Sequence, residues 1–194
     1  MKKISILAVL FVSLLSSCKK DESNLTLSSQ EKSDLIYLRQ EEKLARDVYV
    51  YAYNKYNDPI FQNISSSEQS HINSVLRLLD KYNIEDPLSA DIYGQFENAE
   101  LQLLYNDLIL KVDSSLTHAL EVGATIEDLD IHDIKTLIGH TSNSDLLNKY
   151  DKLTCGSRNH LRGFVGSLGT YTPIFLSQEE YLSIINSPNE QCGN

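Results

Sequence analysis

Four long stretches of this chain repeat apolar residues at steps of three and four, and each series is broken near its middle by a polar or ionisable group. The first runs Leu35, Leu38, Glu42, Ala45, Tyr49, Ala52. The second runs Ile64, Glu68, His71, Val75, Leu78. The third runs Leu116, Leu120, Gly123, Glu127, Asp130, Ile134, Leu137, and the fourth Tyr150, Leu153, Ser157, His160, Phe164, Leu168. Steps of three and four trace one face of an α-helix. Nothing alternates at the two-residue period of a strand for long enough to build a sheet. The expected class is all-α.

Punctuation sets the expected bounds. The first long helix should cover 34–56 and stop at Asn57-Asp58-Pro59. The second should run from about Ile64 to Tyr82, with Ser65 or Ser66 and Glu68 capping its start. Residues 83–97, holding Pro87 and Gly94, read as a loop. A short amphipathic helix near 99–110 follows, with Leu101, Leu104 and Leu108 on one side. The third and fourth long helices should cover about 114–138 and 144–168. The tail reads as an extended segment and then a short helix capped by Ser177. The expected architecture is a four-helix bundle with a long crossover between helices 2 and 3. One domain over 34–186, with a tail at 187–194, suits a chain of 194 residues that is 41% hydrophobic.

The N-terminus reads as an address. MKKISILAVLFVSLLSSC has a basic start, an apolar run from Ile4 to Leu15, and small residues before Cys18. That is a secretory signal over 1–17, too short for a spanning helix. Leu15-Ser16-Ser17-Cys18 resembles the lipobox of bacterial lipoproteins, in which the Cys is lipidated and becomes the first mature residue. The alternative is an ordinary signal peptide followed by a chance Cys. Residues 18–33 then form a tether, and the expected location is the bacterial cell envelope, lipid-anchored to a membrane. Loss of Lys2 and Lys3 with the leader leaves 15 basic against 27 acidic residues, a net charge of −12. Such a surface repels phosphates and argues against a nucleic-acid partner.

The interruptions carry the chemistry. An ionised group in an apolar interior costs several kcal/mol unless it is compensated. Four helices interrupted at the same level suggest one shared partner, and a divalent metal neutralises carboxylates while taking imidazole nitrogen as well. Glu68 and His71, three apart, have Cβ atoms about 5–6 Å apart and can serve one centre from one turn. The candidate ligands are Glu42, Glu68, His71, Glu127 and His160, with Asp130 in support.

This arrangement resembles the ferritin-like superfamily of carboxylate-bridged di-metal bundles, in which a Glu from each of two helices joins a Glu-x-x-His from each of the others. Glu42-Lys43-Leu44-Ala45-Arg46-Asp47 and Ser67-Glu68-Gln69-Ser70-His71 look like the first two helix motifs of rubrerythrins. More closely, YLRQEEKLARDVY, SEQSHINSVLRLLDKY, VGATIEDLDIHDI, GSRNHLRGF and YTPIFLSQEEY resemble the bacterial and archaeal family of a domain of unknown function, DUF2202, over roughly residues 34–186. The resemblance implies a ferritin-like fold and an iron or manganese site. One departure stands out: the fourth-helix Glu-x-x-His reads Ser157-x-x-His160. One carboxylate is missing, so one metal should bind tightly and a second loosely, with Asp130 partly replacing the missing group.

Each residue also has a plainer reading. Glu42, beside Gln40 and Glu41, could belong to a solvated face; it alone of the two Glu falls on the stripe. Glu127, Asp128 and Asp130 could be a surface acid run. Tyr49 reads as core. Arg46, Asp47 and Arg158 read as helix-surface pairs, and His118, His132 and His140 fall off the stripes. With Cys18 lipidated, Cys155 and Cys192 remain as either a disulfide or two thiols. Three functions stay open: a redox protein reacting with peroxide or dioxygen, a non-catalytic metal-binding module, and a metal-free bundle that binds a partner. The sequence does not decide whether copies of the chain associate into a homo-oligomer.

Overall fold

A capping box starts the first helix earlier than Asp34. The Ser28 hydroxyl accepts the backbone N–H of Glu31, and the Glu31 carboxylate accepts the N–H of Ser28 at 2.7 Å. Both donors would otherwise lack partners. Helix α1 therefore spans Ser29–Tyr56, and residues 29–33, expected as tether, are helical. A computed structural model of the protein describes residues 26–193. The leader and residues 18–25 of the tether, Cys18 among them, lie outside the described residues.

The second start also moves. α1 ends at Asn57, which takes the left-handed conformation with φ 52° and returns its N–H to the Tyr53 carbonyl. Asp58 then caps α2 (Pro59–Lys81) by accepting the Ile60 N–H, with Pro59 in the first turn. Proline there gives up only an N–H that has no helical partner anyway. Ser65 and Ser66 are not caps; they sit inside α2 and donate to the Gln62 carbonyl. The remaining helices are α3 (Ala99–Val112), α4 (Leu116–Gly139), α5 (Ser144–Leu168) and α6 (Gln178–Ile185), the last capped by Ser177 as expected.

Two helical hairpins, α1–α2 and α4–α5, face each other with α1 against α4 and α2 against α5. α3, in the crossover, packs across α1 and α4. The core is in two parts. At one end Leu35, Leu38, Val75, Leu78, Ile134, Tyr150 and Leu153 are buried together. At the other, Tyr49, Phe61, Leu120, Leu161 and Phe164 form the centre of a larger cluster. The Phe164 ring sits 5.2 Å from that of Tyr49 and 5.8 Å from that of Phe61. Gly123 permits this: a Cβ there would come within 2.4 Å of Phe164. Between the two clusters lies the layer of interruptions. No helix among the described residues is long and apolar enough to cross a membrane.

Buried charges fasten the connections to the bundle. Asp47, read as a surface residue, is fully buried. Its carboxylate accepts from Lys43, from Arg46 and from the backbone N–H of Gly94. Lys43, equally buried, also donates to the carbonyls of Ile92 and Gln95. The crossover covers this side of α1, and that is why the charges are enclosed. Asp128 does the same for the tail, accepting the N–H groups of Ile174, Phe175 and Leu176. It is not part of a solvated acid run.

The last residues are tied to α5. Glu190 accepts from Arg158 and Arg162. Cys155 and Cys192 are joined in a disulfide, 37 residues apart in sequence. In the loop-closure picture a link of that span stabilises the fold by up to about 4 kcal/mol. Cys192→Ser is therefore expected to lower the unfolding free energy by about 2–4 kcal/mol. Denaturant titration with and without reductant checks this; a wild type indifferent to reductant contradicts it.

Candidate metal centre

The layer between the two cores is built from one position per helix turn. Glu42 comes from α1, Glu68 and His71 from α2, Glu127 from α4 and His160 from α5. Glu42, Glu68 and Glu127 are each about 2% exposed or less, so nothing in bulk water solvates their charge. None of the five side chains points outward.

Glu68 is the hub. One carboxylate oxygen lies 2.9 Å from Nδ1 of His71, and the other lies 2.7 Å from Nδ1 of His160. His71 Nδ1 is also 3.1 Å from Glu42, and His160 Nδ1 is 3.4 Å from Glu127. The five residues thus form two overlapping sets that could hold a metal: Glu42, Glu68 and His71, and Glu68, Glu127 and His160, each with its donor atoms within 4.8 Å of one another. The two imidazoles lie face to face, 5.5 Å apart.

The electrostatics follow from the enclosure. Burial pulls His160 down, but the Glu68 and Glu127 charges outweigh it and raise its pKa to about 10. Glu68 and Glu42 likewise hold His71 well above the ordinary histidine range. Burial pushes Glu42 up to about 7, with His71 pulling the other way. Burial raises Glu127 too, and raises Glu68, where the two histidines reverse it and hold the carboxylate low. Without a cation, protons carry the neutralisation of this layer.

Asp130 stands beside the two sets rather than in either. Its carboxylate accepts the Ser157 hydroxyl, which also lies 3.0 Å from the Leu153 carbonyl. Burial and the charges of Glu42 and Glu127 hold the Asp130 carboxyl well above its usual range. The hydroxyl at 157 thus meets the nearest spare carboxylate, in the turn where a glutamate was expected.

Several contributors escaped the stripe reading. Tyr49 is core, as read, but its hydroxyl also donates to Glu127 at 2.6 Å. Ser67 lies 2.9 Å from Nε2 of His160 and so orients that ring. Glu41 and Gln40 are buried, not solvated, because α3 and the loop before it cover α1. Gln40 accepts the Asn98 N–H, while burial and Asp130 push the Glu41 carboxyl upward. The helix-surface histidines are as read: His118, His132 and His140 are exposed. Arg46 and Arg158 stay away from the site, on Asp91 and Glu190.

Two openings reach the layer. On the α3 side, a cavity of about 50 Å³ is walled by Leu101, Leu104, Leu108 and Phe175 and ends on Glu42, Glu68, Glu127 and Asp130. On the opposite side a polar groove between α2 and α5 ends on His71 and His160.

The family model for the uncharacterized protein domain DUF2202 matches residues 31–188. The chain belongs to the DUF2202 family. It is 50% identical over 172 residues to "Uncharacterized protein MJ0754" of Methanocaldococcus jannaschii, an alignment covering 87% of this chain and 93% of that protein. The crystal structure titled for hypothetical protein MJ0754 from Methanococcus jannaschii superposes with a TM-score of 0.84 at 50% identity, covering 85% of this chain and 97% of the other. The helical bundle is therefore shared with that protein.

Within this DUF2202 chain, Gly156 makes room for a candidate ligand. A Cβ at 156 would come within 2.6 Å of His71 Nε2, while at Gly166 it would meet nothing within 4 Å. Gly156→Ala should turn the His71 ring and weaken metal affinity by at least about tenfold, a difference of 1.4 kcal/mol. Gly166→Ala should leave affinity unchanged and add about 0.5–1 kcal/mol of stability through helix propensity. Metal titration of both variants decides; equal affinities contradict the role given to Gly156.

Proposed function

We propose that this chain is an exported, lipid-anchored, ferritin-like protein whose buried layer binds iron or manganese. One observation carries the reading. Glu42 Oε1, Glu68 Oε1 and His160 Nδ1 are buried without a hydrogen-bond partner. His160 Nδ1 and Glu68 Oε1 are 2.7 Å apart yet not aligned as donor and acceptor. Leaving such groups unpaired costs about 1–3 kcal/mol each, and more when they are charged. A cation seated between them satisfies all three, and a mixed imidazole–carboxylate set suits iron or manganese.

Glu42, Glu68 and His71 would hold one ion, and Glu68, Glu127 and His160 a second. The second is the weaker. Three carboxylates do not offset two divalent charges, Ser157 supplies a hydroxyl in place of a carboxylate, and Glu127 is shared with Tyr49. Asp130 brings a fourth carboxyl to the cavity wall, which would ionise only once a cation is seated, and would act through Ser157 or a water. Bound iron or manganese would supply electron transfer toward dioxygen or peroxide. The protein's part is to fix the donor atoms, exclude bulk water and admit a small uncharged oxidant through the apolar cavity beneath α3. A non-catalytic metal-binding module is the second reading, and the missing carboxylate at Ser157 favours it. Oxidant consumption by the ferrous protein separates the two. The buried unpaired donors weigh against a metal-free bundle.

Glu68→Ala removes the ligand common to both sets and should empty both positions by elemental analysis. Asp130→Ala should lower the metal content, and Ser157→Glu should raise occupancy of the second position. Full metal content in Glu68→Ala protein would overturn the assignment.

Metal uptake should release protons, because bound ligands are unprotonated. Glu42 keeps its proton up to about 7 and His160 up to about 10. Raising the pH through this window lessens proton competition, so apparent affinity should rise. Calorimetry in buffers of different ionisation enthalpy measures the protons released; none released, with pH-independent affinity, contradicts the site. For the anchor, mass spectrometry of membrane-fraction protein should find an acylated Cys18 as first residue, and an unmodified N-terminus or a leader cut elsewhere ends that part of the proposal.

A further inference from the structure

The cavity beneath α3 joins an apolar wall to a floor of carboxyl groups. Its volume of about 50 Å³ lies well below the roughly 300 Å³ at which pockets for organic ligands begin. It suits a molecule of very few atoms. Leu101, Leu104 and Leu108 stand on one face of α3, and Leu129 of α4 and Phe175 of the tail complete the wall. Leu101 and Leu108 are buried, whereas Leu104 and Leu129 are half-buried and Phe175 is 39% exposed. The cavity therefore opens between these last three. Phe175 is held at this mouth from behind, because its own N–H and those of Ile174 and Leu176 are bound by the buried Asp128.

The hydrogen-bonding capacity of this wall is already spent. Its leucines stand in the interior of α3 and α4, where backbone groups bond within the helix. Thr125 carries the one hydroxyl among the described lining residues, and that hydroxyl donates to the Glu121 carbonyl at 2.8 Å. The rest of the wall is hydrocarbon. Polar atoms become available to a guest only at the floor, on Glu41, Glu42, Glu68, Glu127 and Asp130.

We infer that this cavity is a binding chamber for dioxygen, and that its leucine wall selects this apolar gas over hydrogen peroxide. Apolar cavities in proteins take up apolar guests such as xenon, and a molecule without O–H or N–H groups loses no hydrogen bond on entering one. Peroxide carries two hydroxyl groups. Each must leave water and pass hydrocarbon with no acceptor in reach, which lowers entry by about tenfold or more. Peroxide is left with the polar groove between α2 and α5, which reaches the histidines from the other side. The use of dioxygen rests on the proposed metal centre, whereas the chamber itself needs no metal.

Dioxygen is paramagnetic, so methyl NMR of metal-free protein under oxygen pressure tests the chamber without any reaction. The methyls of buried Leu101 and Leu108 should relax faster than those of Leu103 and Leu110, which are 65% and 68% exposed on the outer side of α3. Dissolved gas that only touches the surface gives the opposite order. Hydrogen peroxide at the same concentration should leave the Leu101 and Leu108 shifts unmoved. Leu104→Trp, which fills the mouth, should remove the excess relaxation, and Leu103→Trp should not. The wild-type comparison stands even where Leu104→Trp folds poorly. In ferrous-loaded protein Leu104→Trp should slow oxidation by dioxygen about tenfold or more and leave oxidation by peroxide unchanged. Slower relaxation at Leu101 and Leu108 than at Leu103 and Leu110, shifts of the former with peroxide, or equal slowing with both oxidants overturns the proposal. Failure to take up ferrous ion, with the relaxation pattern intact, overturns the metal centre and leaves the chamber standing.

Discussion

Three carboxylates and two imidazoles share one layer in the interior of this bundle, and the rest of the structure is arranged around the cost of placing them there. Moving an ionised group out of water costs several kcal/mol even after relaxation. The layer lowers that cost by pairing: Glu68 faces both histidines, and Glu42 and Glu127 each face one. The pairing is incomplete, since donor atoms of Glu42, Glu68 and His160 lack hydrogen-bond partners. Apolar clusters above and below exclude water and so sharpen every interaction within the layer. A helical bundle with an all-apolar core would need none of this, which is the physical reason for assigning the layer a ligand.

The surroundings make the two sides of the layer unlike. Beneath α3 the approach is small and walled by leucines, and the carboxylates form its end. Between α2 and α5 it is wider and polar, and the histidines form its end. The buried Lys43–Asp47 pair fastens the crossover over the first face, and the Cys155–Cys192 link and Glu190 fasten the tail to α5 beside the second.

Much of this was legible in the sequence because a stripe on a helix fixes direction. Glu42, Glu68, Glu127 and His160 interrupt apolar series in phase, and in a bundle residues in phase face one axis. The limits have the same origin. A stripe reports what faces the axis and is silent on what a crossover covers, so Gln40, Glu41 and Asp47 read as solvated although α3 and its loop enclose them. Pro59 read as a stop only, although the same residue behind Asp58 starts α2. The Asp128 side chain, adjacent to Glu127, points a different way around α4 and ties down the tail. Gly156 carried no visible signal, because its role is to leave space for a ring on another helix.

The central claim is that the layer is a metal centre organised by Glu68. Anomalous diffraction from crystals of the protein grown with iron or manganese, recorded on both sides of the metal's absorption edge, tests it most directly. The account predicts one strong peak bounded by Glu42, Glu68 and His71 and a weaker one bounded by Glu68, Glu127 and His160. A layer free of anomalous density in metal-replete crystals, with the histidines hydrogen-bonded to the carboxylates instead, would contradict it.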